Sequence, residues 1–147
     1  MKKSKPPFYR QETPDSCAPA CLRMIFSYFD LPVSEAELRA LCDCTIFGVD
    51  PPFAVDVARQ FGFSKTDINN ISPEELRLYL DEGRYPIVYV SLLPIDAREG
   101  SQALVALEIG DDAMTVYDPD QGERILPWGA FLKAWALKRN LAIIVDK

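Results

Sequence analysis

Four cysteines, Cys17, Cys21, Cys42 and Cys44, are the candidate nucleophiles and soft metal ligands of this chain, and no histidine accompanies them. Histidine is the only side chain whose unperturbed pKa lies between pH 5 and 8, so its absence excludes His-based proton transfer and His-ligated metals within the chain. Cys17 stands apart from the other three because a helical pattern begins at it: Ala18, Cys21, Leu22, Ile25 and Phe29 recur at intervals of three and four. Asp15 or Ser16 can cap that helix, and Pro19 is tolerated only in its first turn. A cysteine so placed meets the positive end of the helix dipole, which favours thiolate over thiol; the expectation is a nucleophile with a lowered pKa. Cys21, Cys42 and Cys44 read instead as small core or near-core groups.

Four thiols have two other chemical uses, a zinc site and a redox pair. Four thiolates can in principle hold zinc, but the spacing is not that of paired C-x-x-C motifs. Cys42-Asp43-Cys44 likewise lacks the C-x-x-C spacing of a redox helix start. No metal and no cofactor are expected.

The elements that must position Cys17 follow from periodicity. A second helix starts at Ser34-Glu35-Ala36-Glu37, read as a capping box, and runs to about Cys42 with an apolar stripe of Ala36, Leu38 and Leu41. A third follows Pro51-Pro52 and ends at Gly62, and a fourth begins at Ser72-Pro73-Glu74-Glu75 and ends before Gly83. The period then changes: strands are predicted over residues 87–92, 103–109 and 113–117, with Gly110-Asp111-Asp112 as a hairpin loop. After the turn Asp118 to Gly122 come a short strand over 123–126, a helix carrying Trp128, Phe131, Leu132 and Trp135, and a last strand over 141–145. Helices first and an antiparallel sheet after them is the α+β pattern, with the leading helix packed on the sheet.

At 147 residues with 48% hydrophobic content, one domain is the default, here residues 10–147 behind a flexible tail over residues 1–9 that begins Met1-Lys2-Lys3-Ser4-Lys5-Pro6-Pro7. A net charge of -6 argues against nucleic-acid partners and against an anionic membrane surface. The charged N-terminus is followed by no apolar signal segment, and no run of 18 apolar residues occurs anywhere, so the chain reads as a cytoplasmic protein with reduced thiols and no membrane partner. No heptad pattern or self-complementary strand indicates an oligomeric state.

The segment Gln11-Glu12-Thr13-Pro14-Asp15-Ser16-Cys17-Ala18-Pro19-Ala20-Cys21-Leu22-Arg23-Met24 resembles the nucleophile segment of the C39-type, papain-like cysteine peptidases. The likeness continues through residues 33–42, Gly48 and residues 58–63, and ends with a strand, an Asp-Pro turn and a Trp-bearing helix. It implies a papain-like fold, a peptide or protein as substrate, and a Cys-His-Asp triad. Gln11, six residues before Cys17, would help form the oxyanion hole. Asp118, before Pro119, would be the third triad member; read on its own it is a turn residue receiving local backbone N–H bonds. The position at which the resemblance implies the general base holds Gln102.

An amide can hydrogen-bond in an imidazole's place, but near pH 7 it can neither take the thiol proton nor return one to a leaving amine. Loss of a triad member costs on the order of 10⁴ to 10⁶ in kcat. Lys, Tyr, Glu108 or Asp111 could serve as a substitute base, but nothing in the sequence places one beside Cys17. The expectation is therefore a C39-like domain that is inactive or severely impaired and retains peptide binding. The alternatives are a naturally silent peptide-binding or regulatory pseudopeptidase, and an active bacterial-type thiol protease whose His has been replaced by Gln.

Overall fold

The computed structural model describes residues 5–147. Its spine is one six-stranded sheet in the order β1-β6-β2-β3-β4-β5, antiparallel throughout. The strands are β1 (Asp67–Asn70), β2 (Ile87–Ser91), β3 (Ser101–Gly110), β4 (Ala113–Asp118), β5 (Gly122–Pro127) and β6 (Leu141–Ile144). The helices are α1 (Cys17–Tyr28), α2 (Glu35–Leu41), α3 (Pro51–Gln60), α4 (Pro73–Asp81), α5 (Leu93–Asp96) and α6 (Trp128–Ala136). This is the expected α+β arrangement.

The central strands are apolar on both sides because both faces of the sheet are covered. Ala103 and Val105 of β3 join Cys21, Leu22 and Phe26 of α1 in one core. Leu104 and Ala106, pointing the other way, join Leu76 of α4 and Phe131 and Trp135 of α6 in a second. Trp135 also donates Nε1–H to the Leu141 carbonyl at 3.0 Å, fixing the approach of β6.

Three local findings revise the sequence expectations. The buried face of α2 is Glu35, Leu38 and the following Cys42, while Ala36 and Leu41 are exposed. The Ser34 Oγ accepts from Glu37 N at 3.1 Å as a cap should, but Glu35 turns inward because it finds partners there. β1 lies in the half read as helical; its Asp-Ile-Asn-Asn sequence carries little strand propensity and is held by pairing with β6, a long-range contact. Third, residues 5–9 pack on the body. Tyr117 Oη donates to the Pro6 carbonyl at 2.9 Å and Phe8 meets the Tyr117 ring edge-on at 5.4 Å, so the aromatic residue behind Pro-Pro docks the segment. Met1 to Ser4 of the predicted tail lie outside the described residues.

Candidate active site

The segment that leads into α1 is tied on three sides. Ser16 Oγ accepts from Thr13 N and bonds the Thr13 carbonyl, each at 3.1 Å, which closes the turn before Cys17 rather than capping the helix forward. Glu12 N donates to Glu35 Oε1 at 2.9 Å, and Arg39 pairs with both Glu35 and Glu12. Gln11 N donates to the Pro119 carbonyl at 2.9 Å, joining this segment to the turn after β4. Glu35 is 1% exposed, and its burial is tolerable because its carboxylate is both paired and hydrogen-bonded.

Cys17 sits half-buried at the N-terminus of α1, over the start of β3, where Ala103 N donates to its sulfur at 3.4 Å. The expected lowering of its pKa is not found. Burial pushes the Cys17 thiol up and outweighs the backbone N–H groups of Ala103, Ala18 and Cys17, which favour the thiolate; the Asp118 carboxylate adds to the rise. The helix field is present, but a desolvated thiolate needs a cation close by. Burial raises the other thiols as well, Cys42 to about 12 and Cys21 well above the usual range. Cys44 is half-buried and its thiol is raised less severely; its sulfur lies 3.5 Å from the Asp15 carbonyl.

The Val105↔Tyr117 register of β3 and β4 brings the start of one strand beside the end of the other, and with them Gln102 and Asp118. Gln102 Nε2 donates to Asp118 Oδ1 at 2.9 Å and to Gln11 Oε1 at 3.0 Å. Both N–H bonds of the amide are thereby used, and Gln102 is only 8% exposed. Gln11 in turn donates Nε2–H to the Thr13 carbonyl at 2.9 Å and the Pro14 carbonyl at 3.1 Å. Gln11, Gln102 and Asp118 thus form one hydrogen-bonded row, and the Ala103 amide links the residue next to Gln102 to Cys17.

Asp118 is 1% exposed and does more than close a turn. Its Oδ1 also accepts from Asp120 N at 2.9 Å, the local bond expected of such a residue, while Oδ2 is 3.2 Å from Arg124 Nη1. Arg124 forks onto Asp96 of α5 at 2.7 and 3.1 Å. The sequence reading missed Arg124, Asp96 and Glu35. The signal for Arg124 was the β4–β5 hairpin, in which it stands opposite Val116, two residues from a carboxylate that must be buried with a cation.

A cleft of about 530 Å³ opens beside Cys17. Its floor is the sheet end, with Gln102 and Ala103 of β3, Tyr89 of β2 and Leu141 of β6; Ile46 and Phe47 stand on its rim, 76% and 93% exposed. Such a slot, mostly apolar with a few polar groups, suits an extended peptide. Among the described residues no group of three or more His, Cys, Asp or Glu side chains is gathered as metal ligands would be, and no helix is long and apolar enough to cross a membrane.

Solved structures with the same fold include a C39-like peptidase from Bacillus anthracis, 16% identical with a TM-score of 0.81, covering 98% of this chain and 96% of that one. A double-glycine-motif protease from an AMS/PCAT transporter, solved with its leader peptide, is 17% identical with a TM-score of 0.76, covering 98% and 93%. The peptidase domain of Streptococcus ComA, a bifunctional ABC transporter of a quorum-sensing pathway, is 19% identical with a TM-score of 0.73, covering 99% and 100%. These likenesses establish the papain-like peptidase fold. A search of the curated proteins found no match. The Peptidase C39 family matches residues 5–147, virtually the entire chain, and the chain belongs to that family.

Proposed function

We propose that this protein is a catalytically silent member of the C39 family, a pseudopeptidase that keeps the peptide cleft and uses it to bind a peptide or an extended segment of a protein. The observation that carries this reading is the state of Gln102. Its amide nitrogen is committed to Gln11 and Asp118, and no side chain able to accept the Cys17 proton shares a hydrogen bond with that sulfur among the described residues. Burial keeps Cys17 a thiol near neutral pH, and a neutral thiol is a poor nucleophile toward an amide. In the catalytic roles that family likeness assigns, Cys17 is the nucleophile position, Gln11 the oxyanion donor, Gln102 the lost base and Asp118 its former orienting group.

The relative solved with a leader peptide supports a peptide as the ligand, and the free state of all four cysteines suits the reducing cytoplasm. The test pairs two measurements on the same purified chain. Fluorescence polarisation with labelled heptapeptide pools should show saturable binding, displaced by unlabelled peptide. Quenched-fluorescence versions of the same pools should show no Cys17-dependent cleavage. Turnover abolished by Cys17→Ser would overturn the silent reading, and absence of binding to any pool would overturn the cleft reading.

A further inference from the structure

The side chains of Tyr89 and Lys138, both on the cleft, have no hydrogen-bond or ion-pair partner among the described residues. Tyr89 Oη is buried and makes no hydrogen bond. Lys138, half-buried on the link between α6 and β6, lines the same cleft and has no ion-pair partner among the described residues. A buried phenol without a partner is unfavourable, because it has given up water and received nothing in return. Lys138 brings a positive charge to the same cleft. Both are satisfied by one kind of group: an anionic acceptor entering the cleft.

We propose that Tyr89 and Lys138 form a subsite for a carboxylate of the bound peptide. The sheet order gives its place. Ala103, under Cys17, pairs with Tyr89 on β2, and β2 pairs with β6, whose first residue Leu141 follows Lys138 by three positions. Neighbouring strands are about 4.8 Å apart, so Leu141, at the lysine end of the cleft, lies about 10 Å across the sheet from Ala103 under Cys17, or about three residues of extended peptide. Tyr89 lies between the two ends. Among the described residues lining the cleft the acidic side chain is Asp15, which belongs to the turn before α1, on the Cys17 side. It therefore repels an anion at the Cys17 end and leaves the lysine end as the favourable one. The ligand is then an extended peptide with Asp, Glu or its own C-terminal carboxylate some three residues from the segment that passes Cys17.

This inference rests on the peptide-cleft reading, and the experiment separates the two. Labelled heptapeptide pools of equal complexity are made with one fixed residue, Glu, Gln or Lys, each as the free acid and as the C-terminal amide. The wild-type chain should bind the Glu pool about tenfold more tightly than the Lys pool, the scale of one charge-assisted contact. Lys138→Glu should reverse that preference. Tyr89→Phe should weaken binding of the Glu and Gln pools and narrow, without reversing, the preference for the Glu pool over the Lys pool. A Glu-over-Lys preference that survives amidation assigns an acidic side chain; tighter binding of every free-acid pool than of its amide, whichever residue is fixed, assigns the C-terminus. Saturable binding with equal affinity for all pools overturns the carboxylate subsite and leaves the cleft reading standing. No binding of any pool overturns both. Circular dichroism of each variant checks that it is folded, and Lys138→Gln, which removes the charge and not the side chain, should abolish the preference without reversing it.

Discussion

Replacing Gln102 by His asks whether the remaining geometry is that of a peptidase. An imidazole at this position would lie within about 4 Å of the Asp118 carboxylate; at an effective dielectric of about 20, that pair favours the imidazolium by about 4 kcal/mol. Arg124 opposes it. Its Nη1 is 3.2 Å from the far oxygen of Asp118, which places the guanidinium about 6 Å from the ring and disfavours the imidazolium by about 3 kcal/mol at the same dielectric. The difference is about 1.4 kcal/mol, about one pKa unit, and burial of position 102 works against it. A His there should titrate near its ordinary value of about 6.5, suitable for a base at neutral pH. Gln102→His should then recover about 10⁴ to 10⁶ in kcat, or about 5 to 8 kcal/mol of barrier, as the reverse of losing a triad member. The assay is cleavage of quenched peptide pools across pH 5 to 9, with Cys17→Ser in the same background as the blank. The rate should rise through an acid limb between about pH 6 and 7. A folded Gln102→His variant that binds peptide and shows no Cys17-dependent cleavage would refute the claim that the amide is the lesion.

In the Gln102→His background, Arg124→Gln should move the acid limb to higher pH, because removing the guanidinium stabilises the imidazolium; an unchanged limb would mean that Arg124 does not reach the site electrostatically. Alkylation by iodoacetamide, read by peptide mapping, should modify Cys17 and Cys44 and spare Cys21 and Cys42, with the Cys17 rate still climbing at pH 9 because burial raises its pKa. In Gln102→His the Cys17 rate at pH 7 should increase through an ion pair with the imidazolium. Glu35→Ala should lower stability by about 1 to 3 kcal/mol in urea unfolding, through loss of the Glu12 N bond and the Arg39 pair, and should shift peptide affinity by loosening the turn before Cys17. The raised thiols also set an alkaline limit. Cys42 stays protonated in the folded chain up to about pH 12 but ionises near pH 8.5 when unfolded, so its contribution is full below about pH 8.5 and lost between there and about pH 12, at up to about 1.4 kcal/mol per pH unit. Urea midpoints measured from pH 7 to 10 should fall accordingly.

Local sequence determined much of this protein. The three- and four-residue spacing after Cys17 specifies α1, Ser72 and Glu75 form a reciprocal capping box at α4, and the β-branched and aromatic runs specify β2 to β4. Each of these is a matter of neighbours along the chain, which is what periodicity and capping report. The motif around Cys17 identified the family for the same reason, since Gln11 and Cys17 share one contiguous segment. Tertiary structure alone decided the rest. The pairing of β1 with β6 overrides weak propensity, and Glu35 is buried because Glu12 and Arg39 come to it from other segments. The protonation of Cys17 was the clearest case: the helix dipole is a local property and could be read in the sequence, whereas desolvation depends on everything packed around the sulfur. Asp118 shows the same division, its turn bond to Asp120 being legible and its union with Gln102, Arg124 and Asp96 requiring three strands and α5 to meet.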